Sequence, residues 1–288
     1  MQTRTFIGAL FACAVLVGPL ARAQEHARVE EQTQDLLRRG IVYSDRFERS
    51  LEQALKGSTY RGSHLANRLE DLAEYIDDHL DEAEEQYRKA GPYSAAPGRH
   101  VQNALVAAQG IDRAAIAEGF PQIVQDDWAA LRDVLNRLAA TWNFAPIPTG
   151  PPYVPAAQGP RLTVAETSVL LENIHEAAAR FEHDFDRSSD SYQVTRDSDF
   201  YEDLAEAFKD ATGRAARDFR KNDTRNFRIN LQDTYVLAAA LNRTMTQTRF
   251  SPTLEAQWSS LREDLNRLAV ASGIPPLPAG YATAPLTE

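Results

Sequence analysis

Glu172 and His175 stand three residues apart in the run Glu172-Asn-Ile-His175, and on a helix this spacing turns a carboxylate and an imidazole to one face. Di-metal helical bundles use that half-motif twice, with two further inward carboxylates. The chain supplies it once, and the corresponding places earlier in the sequence hold Arg38 and Ile41. Glu172 and His175 are therefore the metal candidates, set against a plainer reading as surface or flanking side chains. His26, His64, His79 and His100 are scattered, and no pair has the H-x-x-x-H spacing that grips zinc from one helix. His183, between Glu182 and Asp184 and near Asp186, offers either a surface cation site or an ordinary solvated face.

A second group is written twice. Arg132 and Asn136 lie one turn apart, as do Arg262 and Asn266, each pair beside an apolar seam that begins at Trp128 or Trp258. Such residues either hydrogen-bond within the bundle, the reading favoured here, or present a surface to a ligand or partner. The tryptophans could form a stacking platform, but their place on the seam points to the core.

Other chemistries lack their residues. There is no G-x-S-x-G, no S-x-x-K and no glycine-rich phosphate loop. The single cysteine, Cys13, lies in an apolar leader, which removes thiol catalysis, zinc-thiolate sites and disulfides from the expected mature chain. The sequence thus predicts no catalytic residue, no cofactor and no enzyme. With 41 acids against 31 bases and a net charge of -10, nucleic acid is not an expected partner.

The elements that carry these residues follow from an internal duplication. Trp128-Ala-Ala-Leu-Arg-Asp-Val-Leu-Asn-Arg-Leu-Ala139 recurs as Trp258-Ser-Ser-Leu-Arg-Glu-Asp-Leu-Asn-Arg-Leu-Ala269. Arg46-Phe-Glu48 recurs as Arg180-Phe-Glu182, and Glu70-Asp-Leu-Ala-Glu74 as Glu202-Asp-Leu-Ala-Glu206. Val101, Leu105, Ala108, Ile111 and Arg113 match Leu231, Tyr235, Ala238, Leu241 and Arg243. Within each copy, apolar residues fall three and four apart, as in Val124, Trp128, Leu131, Leu135 and Leu138, and no stretch alternates as a strand would. The fold class is all-α: two tandem antiparallel four-helix bundles with apolar seams, produced by the duplication.

Residues 1–23 have the parts of an export signal: Arg4, an apolar run from Phe6 to Leu20, and Ala21-Arg22-Ala23 before a mature start at Gln24. A lipoprotein box at Leu10-Phe-Ala-Cys13 is the competing reading, and the apolar run is too short for a membrane helix. Bundles are predicted over 24–144 and 163–273, joined by a proline-rich linker over 145–162 and followed by a Pro/Ala-rich tail over 274–288. An extended linker of this kind leaves the bundles free to move. The second helix of the first copy carries Asp77, Asp78, Asp81, Glu82, Glu84 and Glu85, where the second copy has Arg214, Arg217, Arg220 and Lys221.

The motifs R-F-E-x-x-L, E-D-L-A-E and W-x-x-L-R-x-D-L-N-R-L-A resemble those of a family of exported bacterial helical-repeat proteins. They stand here as Arg46 to Leu51, Glu70 to Glu74 and Trp128 to Ala139, with second copies that depart at Phe185; the first copy departs at Val134. The resemblance implies export and helical bundles and implies no mechanism. The expectation is a non-catalytic scaffold or interaction protein of the bacterial envelope, periplasmic or secreted, whose partner is an envelope protein, polymer or small ligand. The alternatives are a periplasmic cation- or small-ligand-binding bundle and a periplasmic helical chaperone.

Overall fold

The structure, a computed structural model, describes residues 10–91, 94–118, 120–148, 162–192 and 198–279, with side chains from Arg28 onward except at 116–118, 189–192 and 198. These residues form eight helices and no strand: α1 (Leu10–Lys56), α2 (His64–Ala90), α3 (Ala95–Glu118), α4 (Gln122–Thr141), α5 (Val164–Tyr192), α6 (Ser198–Arg220), α7 (Thr224–Gln247) and α8 (Pro252–Ser272). The fold is all-α, with α1–α4 and α5–α8 as the two copies of a four-helix unit. Residues 1–9 of the expected export signal, 149–161 of the linker and 280–288 of the tail lie outside the described residues. No described helix is long and apolar enough to cross a membrane.

The three-four spacing read from the sequence is the buried face. In α4 it buries Val124, Trp128, Leu131, Leu135 and Leu138, and in α8 Leu254, Trp258, Leu261, Leu265 and Leu268. Helix ends use the expected chemistry. Ser251 Oγ accepts from the Leu254 amide at 3.2 Å, Pro252 opens α8, and Gly273 closes it at φ 70° in the left-handed region. Thr163 and Glu166 form a reciprocal capping box at the start of α5, the Thr163 amide donating to Glu166 Oε2 at 2.8 Å and the Glu166 amide to Thr163 Oγ1 at 3.2 Å.

Within each copy the first helix packs on the second and fourth, and the second on the third. The copies also pack on each other, through α3 against α7 and α2 against α7. This explains why α7 is buried at every position from Ile229 to Met245, and α3 from Asn103 to Ala114. Each is covered by its own bundle on one side and by the other repeat on the opposite side. Small residues permit the approach: a Cβ on Gly110 would lie 2.9 Å from Leu72 Cδ1 and 3.3 Å from the Val236 carbonyl. One hydrophobic core runs through both repeats.

Two features differ from the sequence reading. The repeats share an interface where a proline-rich connector suggested independent motion, because α3 and α7 carry apolar residues on more than one face and are covered on one of them by the other repeat. The interior is also not purely apolar, since Asp112, Asp127, Asp233, Arg113 and Arg243 are all buried. Burial is tolerated because each has a partner. Arg46 lies 2.6 Å from Asp127, Arg132 lies 2.8 Å from Asp112, and Arg214 lies 2.9 Å from Asp233.

Candidate functional site: the cleft between the repeats

The duplicated tryptophans each anchor one small network. Trp128 Nε1 donates to Asp112 Oδ1 at 3.1 Å, and Arg132 Nη1 donates to the same oxygen at 2.8 Å. In the second repeat Trp258 Nε1 donates to Asn242 Oδ1, also at 3.1 Å. The aromatic backing is conserved between the copies as well: Phe47 lies 5.2 Å from Trp128, and Phe181 lies 5.2 Å from Trp258. Both indoles are core residues, at 3% and 2% exposure, so neither offers an open face for stacking.

Asn136 and Asn266 have identical roles. The Ile147 amide donates to Asn136 Oδ1 at 2.6 Å while Asn136 Nδ2 donates to the Ile147 carbonyl at 3.0 Å. Asn266 makes the same two bonds with Leu277, at 2.6 and 3.1 Å. Each asparagine thus reads an extended segment as a neighbouring strand would and holds it along its own bundle.

Those segments let the repeats clasp each other. Arg243 of α7 donates to the carbonyl of Ala145, just beyond α4, and Arg113 of α3 donates to the carbonyl of Pro275, just beyond α8. The two contacts occupy equivalent positions, as a self-complementary interface around a pseudo-twofold axis requires. Arg113 also lies over the Tyr235 ring at 5.1 Å, and Tyr235 donates to the Leu265 carbonyl at 2.6 Å. Full burial pushes the Tyr235 hydroxyl well above its ordinary titration range. With its amide oxygen turned toward Arg243, Gln247 accepts two further bonds, at 2.9 and 3.0 Å.

Next to Ala145 and Gln247, the two residues that accept from Arg243, the repeats leave a cleft of about 670 Å³. One wall comes from the first repeat, with Gln102, Asn143, Phe144 and Ala145; the other comes from α7, α8 and the turn between them. The second wall supplies two cations, Arg249 and Arg262, against one acid, Glu255. Arg262 is the counterpart of Arg132, but Asn242 has replaced the acid that holds Arg132. Its Nη1 donates to the Ala279 carbonyl at 2.7 Å, and it forms no ion pair among the described residues.

Glu172 and His175 lie elsewhere, in a depression of about 470 Å³ between α5 and α6 that also contains Arg214, Arg217 and Arg220. Glu172 is ion-paired with Arg220. Thr212 donates its hydroxyl proton to the Lys209 carbonyl at 2.6 Å, so the 3.1 Å contact with His175 Nδ1 places the ring proton on Nδ1. The imidazole lies against Gly213, where a Cβ would come within 2.9 Å of Cε1. Among the described residues no group of three or more His, Cys, Asp or Glu is arranged to hold a metal ion. The E-x-x-H pair therefore sits in surroundings rich in guanidinium groups.

On the opposite repeat, α1 and α2 enclose carboxylates. Burial, more than the neighbouring Asp81, Asp45 and Glu48, pushes Asp77 up to about 6, with the Ser44 hydroxyl opposing. Burial also raises Asp81 and Glu48. The fold further brings together two histidines that are distant in sequence, with His79 Nδ1 and His100 Nδ1 3.1 Å apart. Sequence periodicity gave no sign of that pair. The arginine clasp did leave one, since Arg113 and Arg243 aligned among otherwise apolar positions.

No protein-family model matches the chain, and no curated protein or solved structure is significantly similar to it.

Proposed function

We propose that this is a non-catalytic, exported interaction protein of the bacterial envelope, and that it binds its partner or ligand in the cleft between the repeats. The observation that supports this reading is the cleft itself. It is concave, has walls from both repeats, combines apolar side chains with amide, hydroxyl and guanidinium groups, and includes Ala145, whose carbonyl accepts from Arg243 across the repeat boundary. Clefts at the junction of two units are favoured binding positions because neither unit alone can surround a ligand. Export is supported by the leader and its A-x-A sequence, and by the resemblance to exported helical-repeat proteins.

Two measurements test the reading. Fractionation with mass spectrometry of the amino terminus should place the protein outside the cytoplasm with Gln24 first. A photo-crosslinking residue at Ser259, in the cleft, should capture an envelope component that the same probe at Val169, exposed on α5, does not. Cytoplasmic retention, or equal labelling from both positions, would contradict the reading.

A further inference from the structure

The two repeats provide an internal comparison for the cleft. In the first, Arg132 and Trp128 converge on one carboxylate oxygen of Asp112. In the second, the indole keeps its contact while the acid has become an amide, and Asn242 Nδ2 is taken up by the Pro278 carbonyl at 3.2 Å. The substitution leaves Trp258 satisfied and removes only the negative charge. Among the described residues Arg262 is left with one backbone carbonyl, and carbonyls match a planar guanidinium less well than a carboxylate does. It lines the cleft beside Arg249.

From this we propose that the cleft takes a ligand carboxylate on Arg262, supported by Arg249, replacing the charge that Asp112 supplies internally in the first repeat. The surrounding wall identifies the rest of the ligand. Gln102, Asn143, Thr246, Gln247, Thr248 and Ser259 present amides and hydroxyls, which suit a small body rich in hydroxyl groups. A carboxylate on such a body is a sugar acid. The proposal rests on the cleft being the binding surface and adds the chemical class of its occupant.

The test is calorimetric titration of the full chain with glucuronate and with glucose, which share a ring and differ at the carboxylate. Glucuronate should bind at least tenfold more tightly. Asn242→Asp should reduce glucuronate binding at least tenfold by giving Arg262 an internal acid, and Arg262→Gln should do the same by removing the cation. Asp112→Asn, in the other repeat, should leave binding unchanged, and melting temperatures identify any variant that has lost its fold. Absence of glucuronate binding, equal binding of glucose, or full binding by a folded Arg262→Gln variant would overturn the proposal. Crosslinking at Ser259 requires no carboxylate, so capture there alongside such a result would leave the functional reading standing.

Discussion

The guanidinium of Arg243 is fully buried and donates to the carbonyl of Ala145, a residue of the other repeat. Arg113 makes the equivalent contact with Pro275 in the reverse direction. A buried cation is tolerated when oxygen acceptors surround it, and here one of them, the Ala145 carbonyl, comes from across the repeat boundary while Gln247 of the same helix supplies the other. The clasp therefore ties the position of the linker to the packing of α3 on α7.

Replacing Arg243 with alanine should destabilise the protein by about 2–4 kcal/mol, the range for losing charge-assisted hydrogen bonds together with buried packing. Arg113→Ala should cost less, because Arg113 keeps 8% of its surface exposed. Urea titrations followed by circular dichroism would rank the two. An Arg243→Ala loss below about 0.5 kcal/mol, the usual level of a surface change, would count against the clasp.

Gly110 lies where α3 comes close to both α2 and α7. A valine there must displace Leu72 and press on the Val236 carbonyl, and overpacking of this kind costs about 1–3 kcal/mol. Thermal melting of Gly110→Val should show that loss. Unchanged stability would mean that α3 and α7 are not in close contact.

Asn266→Ala removes both bonds to Leu277 and should release the segment at 274–279, at a cost of about 1–2 kcal/mol. Hydrogen exchange at the Leu277 amide should accelerate, with the rest of α8 little changed. Asn136→Ala should do the same at Ile147. Protection that persisted in both variants would show that other contacts hold these segments.

Asp77 has a folded-state value of about 6, raised from 3.8, so folding favours its protonated form. The cost of the charge is present in full above pH 6. It declines as pH falls through that value and is gone below 3.8. Asp77 is partly solvated, which limits the expected gain from Asp77→Asn at pH 7.5 to about 1 kcal/mol. Stability curves of the two proteins should converge near pH 4, and parallel curves would refute the assignment.

The helices were legible in the sequence because their seams repeat every three and four residues and their caps are local: Ser251 and Pro252 act on the first turn of α8 and Gly273 on its last. The duplication was equally legible, down to Asn136 and Asn266, whose hydrogen-bonding role over a surface role was the favoured reading. What they bond, the chain beyond each bundle, was not. The packing of α3 on α7 was hidden because a helix buried on all sides lacks the one-sided pattern that reveals an amphipathic one. Within α7, Asn230, Gln232, Asp233 and Asn242 obscured it further by making a buried helix look partly polar. The cleft depends on that packing, so Arg262 could be named from sequence while its company with Arg249, Gln102 and Asn143 could not.

The most direct test of the account is the distance distribution between spin labels on the exposed residues Ile123 of the first repeat and Val169 of the second, in a chain carrying Cys13→Ser. Two repeats joined through α3, α7 and the arginine clasp predict one narrow distribution that broadens in Arg243→Ala. A broad distribution in the chain with Arg243 intact would show that the repeats move independently and would contradict the shared cleft.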